Sequence, residues 1–307
     1  MKRIDLNFYP GWVRKAITFT IDDGNIGLDE KFLRITKPAG LKGTFNLSTP
    51  LREDVDYKTF YAGYEIADHC YRHVYAQNET RPMRPVKDEP FDRATADKTC
   101  LYPTGEKDLY LIYTYNWTYL ATTTEKYLDC ARRARAELEA IFGKGSVRSY
   151  VWPCGYQENK EVNAAMRKEG YQSMRITGCV KDTTGFAFPR DRQEWSYNAD
   201  YTCLAEVSKA YGDYPDDGTL KFFCFGVHSH DFERNHCWNL LEDFCRDFGN
   251  RPNSFYYASV GELFDYEDAV GSIIITDAAI QNPSPIDLYI KIEGERIKLP
   301  AGGEIKL

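Results

Sequence analysis

Ala16-Ile17-Thr18-Phe19-Thr20-Ile21-Asp22-Asp23-Gly24 is the stretch on which the reading of this chain turns. Its apolar and β-branched run has the look of a strand buried on both faces, the habit of parallel sheets. It stops at two carboxylates and a glycine. About one strand–helix unit later comes His69-Cys70-Tyr71-Arg72-His73, two imidazoles spaced by four. One helical turn or a tight loop can converge such a pair on one point. A divalent ion held by Asp23, His69 and His73 would keep an open position, with Asp22 beside it, which is the apparatus of metal-assisted hydrolysis. Each fragment also has a plainer reading, Asp-Asp-Gly as a cap or turn and the histidines as structural. Yet the chain has 5 histidines, and two at ligand spacing downstream of paired carboxylates favour the metal. The absence of the glutamate of His-Glu-x-x-His disfavours a zincin protease.

Outward from this stretch, strand and helix patterns alternate. A helical pattern over 28–39 ends at Gly40, a strand follows at 42–47 (KGTFNL), and Glu65-Ile66-Ala67 leads to His69. The strongest helix spans 124–142, rich in Ala, Arg and Glu and closed by Gly143. Further strands are expected at 147–152, 171–175, 219–228 and 255–258, with helices at 159–168 and 237–248. This alternation implies a parallel sheet or an α/β barrel, and reactive residues at strand C-termini favour the barrel.

Two segments break the alternation. Residues 78–122 open Pro-rich and then carry Leu109-Tyr110-Leu111-Ile112-Tyr113-Thr114-Tyr115, which reads as a hairpin in an insertion. It is expected to cover one rim of the barrel or join two subunits, with its tyrosines and Trp117 offering aromatic surface. Residues 269–307 read as β only and are too few for their own core, so they should pack on the barrel formed by 1–268.

At 307 residues the chain suits one large domain with an appendage. A net charge of -7 without a basic stripe excludes a nucleic-acid or anionic-membrane surface as the expected partner. No apolar stretch reaches the length of a membrane span, and no apolar signal core follows Met1-Lys2-Arg3. The 9 cysteines are odd in number and unpatterned, which fits reduced thiols in a cytoplasm. Aromatic residues, 15% of the chain, suit sugar-stacking clefts and ordinary cores alike. His228-Ser229-His230 ends an aromatic strand, where period two sets both imidazoles on one face. They are either structural or include a general acid.

Asp22-Asp23-Gly24, Gly63-Tyr64-Glu65-Ile66-Ala67-Asp68-His69 with His73, Pro153-Cys154-Gly155 and a strand ending in His228 together resemble the NodB-type polysaccharide deacetylases (carbohydrate esterase family 4). The likeness extends to a branch without a secretion signal through Pro10-Gly11, the KGTFNL strand, Gly226-Val227-His228-Ser229-His230-Asp231 and Asn282-Pro283-Ser284. It covers essentially the whole chain except the insertion. The resemblance implies an irregular (β/α)7 barrel, one divalent metal with zinc foremost, and removal of acetyl groups from acetylated sugars. It implies Asp22 as general base, Asp23, His69 and His73 as metal ligands, His228 as general acid and the Cys154 N–H as an oxyanion donor.

Departures from the family pattern are as telling. Cys70 stands where Ser or Thr is usual, placing an oxidisable thiol by the metal. Val151 stands where many members have an arginine that holds the base. Arg148 or Arg175 could replace it, and Arg175 is preferred because it lies at a strand end. Gly63-Tyr64-Glu65 replaces Gly-His-Glu, with an effect expected only on packing. Pro153, Cys154, Arg175, His230 and Trp195 complete the expected substrate-facing set. The expected activity is a cytoplasmic, metal-dependent deacetylase acting on a short, soluble N-acetylated oligosaccharide, with a homo-oligomer as a further expectation. Its rivals are an O-acetyl esterase of the xylan type and a non-catalytic carbohydrate-binding protein. An amidase on cyclic imides is disfavoured because Asp22 is kept.

Overall fold

Lys15–Asp23 is the longest strand in the computed structural model, which describes residues 2–76, 86, 89–97, 100–114, 117–155 and 160–307. Seven parallel strands follow one another in the order Trp195–Tyr197, Ser173–Cys179, Ser149–Val151, Glu65–Tyr71, Thr44–Thr49, Lys15–Asp23 and Lys221–His228. The ring closes through a bridge from Ala199 to Phe225. There Asn198 N donates to Cys224 O at 2.8 Å and Gly226 N to Ala199 O at 2.9 Å. An eighth short strand, Phe255–Tyr257, pairs alongside Lys15–Ile17, upstream of the point where Thr44–Thr49 joins. The result is the expected irregular α/β barrel.

Helices clothe the ring as alternation requires. Ile26–Thr36 begins at Asn25, whose side chain accepts from Leu28 N, so the cap falls on Asn25 and both carboxylates of Asp22-Asp23 stay free of it. Thr124–Phe142 matches the sequence expectation, capped by Thr123 and ended at Gly143. Phe19, Phe32, Phe45, Phe225, Leu241 and Phe244 form the core between the ring and its helices. Leu204–Asp213 and Val260–Gly271 are helices that the sequence pattern had not suggested, as Trp195–Tyr197 is an unexpected strand. The last helix enters the ring's far end: Gly261 N donates to the buried Glu65 at 2.8 Å. A β-carbon on Gly261 would sit 2.4 Å from that carboxylate and would force it to shift.

The insertion holds a four-stranded sheet in the order Tyr75–Ala76, Trp117–Thr122, Leu109–Thr114 and Leu101–Pro103, including the expected hairpin. Tyr115 lies outside the described residues, as does the side chain of Trp117. At the C-terminal end, Leu288–Ile292 and Glu295–Leu299 form a hairpin joined by the N-terminal strand Ile4–Phe8. Ile280, Leu288, Ile290 and Leu299 share one apolar core with Tyr9, Phe222 and Phe264.

Candidate active site

The register of the parallel strands sets the site. His228 is the neighbour of Asp22 on one side and Asn46 on the other. Asp22 and His228 stand at C-terminal strand ends, the face on which barrel enzymes do chemistry, and Asn46 lies midway along its strand. Beyond Asp22 the backbone turns sharply, with φ of 79° at Asp23 and 70° at Gly24. The histidine pair uses a tight loop rather than a helical turn. His69 ends the regular part of Glu65–Tyr71, and Cys70, Arg72 and His73 take φ values of 67°, 57° and 50°. Such left-handed backbone is costly for residues with a β-carbon and collects at functional sites.

Asp23 Oδ1 lies 3.4 Å from His69 Nε2 and 3.5 Å from His73 Nε2. Those separations match the ~3.4 Å edge of a tetrahedral site with bonds of ~2.1 Å. Asp23 Oδ1 and His69 Nε2 are buried and have no hydrogen-bond partner. Buried polar atoms are rarely left so without a ligand to meet. His69 Nδ1 donates to Val151 O at 2.9 Å, which turns the lone pair of Nε2 inward. Burial, helped by His69, lowers the pKa of His73 to about 4, so its imidazole is neutral and able to ligate. The three side chains fit a divalent ion.

Asp22 is buried beside them. Burial opposes its charge, but the guanidinium of Arg175 and the nearby His69 and His228 hold its carboxyl below the usual range. Arg175 and Asn46 both donate to Asp22 Oδ1, the latter at 2.6 Å. That leaves Oδ2 facing His228 Nε2 at 4.0 Å. Burial works against the His228 imidazolium, yet Asp231, Asp22 and Asp23 push its pKa up to about 9. Its Nδ1 donates to Asp231 Oδ2 at 2.9 Å. His230 stacks on His228 with ring centres 4.6 Å apart.

Other expected residues divide. Pro153 and Cys154 form a turn after Ser149–Val151, where Cys154 has φ 55° and its Sγ lies 3.8 Å from His73 Nδ1. Arg148 is engaged elsewhere, with Asp265 at 2.8 Å. Trp195 does not face the site. It is buried against Phe222 and Phe264, ring centres 5.9 and 5.5 Å away, at the end where the strands begin. The aromatic ring its strand offers the site is Tyr197, 5.1 Å below the Arg175 guanidinium. Tyr197 lies where a β-carbon on Gly226 would come within 2.2 Å, so Gly226 makes room for it. Sequence reasoning passed over Asn46, Asp231 and Tyr197. Asn46 carried a cue, a polar residue inside the apolar KGTFNL strand, and Asp231 stands three residues after His228.

A cavity of about 830 Å³ opens away from this site, among Arg14, Lys15, Asp217 and Lys221 at the opposite end of the ring. Two of its cations are paired, Arg14 with Asp5 and Asp216 and Lys221 with Asp217. No helix among the described residues is long and apolar enough to cross a membrane.

No family model and no curated protein matches the sequence. Solved structures do resemble the fold. A CE4 esterase of Streptococcus mutans has 15% identity and a TM-score of 0.45, covering 80% of this chain and 86% of its own. The Xyl-CE4 domain of a multidomain xylanase from the hindgut metagenome of Trinervitermes trinervoides has 14% identity and a TM-score of 0.45, covering 83% and 92%. The chitin deacetylase of Colletotrichum lindemuthianum has 13% identity and a TM-score of 0.43, covering 84% and 88%.

Proposed function

We propose that this chain is a metal-dependent hydrolase that removes acetyl groups from N-acetylated saccharides. One observation carries the reading: Asp23 meets His69 and His73 at tetrahedral spacing, while Asp22 and His228 flank it with opposite charge. An ion at Asp23, His69 and His73, zinc foremost, would polarise an acyl carbonyl and acidify water when bound. Asp22 takes the proton of the attacking water on Oδ2, because Oδ1 is already occupied by Arg175 and Asn46. His228 then gives its Nε2 proton to the departing nitrogen, and Asp231 holds the ring while this happens. The Cys154 N–H would serve the developing oxyanion, the role the resemblance implies for it.

The charged His228 favours an amide over an ester. An amine must be protonated to leave, whereas an alkoxide leaves more easily. The substrate is a short soluble saccharide, since a net charge of -7 would attract a cationic, deacetylated polymer and slow its release.

Acetate release from chito-oligosaccharides, acetylated xylo-oligosaccharides and polymeric chitin tests this, with the protein chelator-stripped and then reloaded with zinc. Activity should vanish and return with the ion, and Asp22→Asn should keep the ion while losing ~10²–10⁴-fold in rate. Release that survives both chelation and His73→Ala would overturn the reading. Preference for esters, with His228→Ala nearly as active as the parent, would move it to an esterase.

A further inference from the structure

His230 has no part in the chemistry just described, yet it faces the same two carboxylates as His228. Its Nδ1 lies 3.9 Å from Asp23 Oδ2, and His228 Nε2 lies 3.9 Å from the same oxygen. The three ligand atoms fall within 4.8 Å of one another. Asp23 therefore directs Oδ1 at one histidine pair and Oδ2 at another. The outer nitrogens of the second pair both face Asp231, His228 Nδ1 at 2.9 Å and His230 Nε2 at 3.7 Å. A carboxylate behind the imidazoles is the usual support of ligating histidines. A carboxylate shared between two ions ~3.5–4 Å apart is likewise the usual frame of two-metal sites.

We propose that Asp23 Oδ2, His228 and His230 form a second divalent-cation site, joined to the first through the Asp23 carboxylate. Two imidazoles and one carboxylate oxygen suit zinc, cobalt or manganese. Spacings of 3.9 Å exceed the ~3.4 Å tetrahedral edge, so the side chains must draw inward by a few tenths of an ångström. The first set is already at that spacing, and the second site consequently fills later and more weakly. Filling it occupies Nε2 of His228, the atom that faces Asp22. On the proposed function this removes the proton donor, so the second ion inhibits.

Titration of the chelator-stripped full chain with Mn²⁺ tests the site without relying on turnover. The parent should bind two ions with different affinities, and the doubly loaded protein should show the exchange-coupled spectrum of a manganese pair. His230→Ala and His230→Gln should each bind one uncoupled ion at the tighter affinity. Inhibition by excess metal should weaken at least tenfold in both. One ion in the parent, lost in His73→Ala and kept in His230→Ala, would overturn the second site and leave the proposed function standing. No ion at all in the parent would overturn both.

Discussion

Asp22 and Asp29 are two buried carboxylates on the same strand–helix unit with opposite fates. Asp22 has Arg175 and Asn46, and its charge survives burial. Asp29 has the Tyr61 hydroxyl at 2.6 Å, but its Oδ1 has no partner, and burial raises its pKa to about 6. A raised carboxyl binds its proton more tightly folded than unfolded. Its contribution to stability is full below the unfolded value of 3.8 and is lost as pH rises through about 6. Asp29→Asn keeps the acceptor for Tyr61 and removes the buried charge. It should stabilise the protein at pH 7 by as much as about 3 kcal/mol and flatten the melting temperature between pH 4 and 6. An unchanged melting temperature at pH 7 would count against a strained carboxylate. Local motifs were legible at this scale: Asp22-Asp23, the spaced histidines, and His228 with His230. Arg175 was nameable only as a strand-end candidate, since its contact with Asp22 spans 153 positions. Trp195 misled because its three-residue strand gives no period from which to tell its depth in the ring from that of Tyr197.

Among the elements, the insertion bears on the loop that carries His73. Leu109 shares an apolar cluster with Cys70 and Val74, and Arg72 donates to Glu106 at 2.9 Å. Lys126 of the long helix reaches the same Glu106 at 3.0 Å. The hairpin thus braces the left-handed turn that carries His73. Replacing residues 104–122 by a short Gly-Ser link should weaken zinc at least tenfold by calorimetry while circular dichroism stays barrel-like. Parent affinity in that variant would show that the loop holds itself. The long helix was legible because cap, composition and closing glycine agree. Val260–Gly271 was missed although Ser259 and Glu262 form a capping box, because its aromatic and acidic mixture lacks a clean stripe. Ile4–Phe8 escaped notice because its partner, Leu288–Ile292, lies at the other end of the chain.

For the molecule as a whole, the tail packs with Tyr9, Phe222 and Phe264 at the end where the strands begin, and Asp22 and His228 stand at the other end. The walls of that end are unequal. Lys15–Asp22 and Lys221–His228 run side by side in unbroken register, whereas the ring closes on the far side of Lys221–His228 through the Ala199–Phe225 bridge. Amide hydrogen exchange should therefore be fastest at Ala199 and Gly226 and slowest at Phe19 and Ile21, and uniform protection around the ring would contradict this. Asp22 and His228 face each other across the protected wall, so their spacing should endure local opening. Tyr197, beneath Arg175, belongs to the seam. The barrel can thus breathe beside Asp22 and His228 without disturbing them, and on the proposed function a bulky sugar would be admitted by a soft flank while the proton-transfer distance is kept by a hard one.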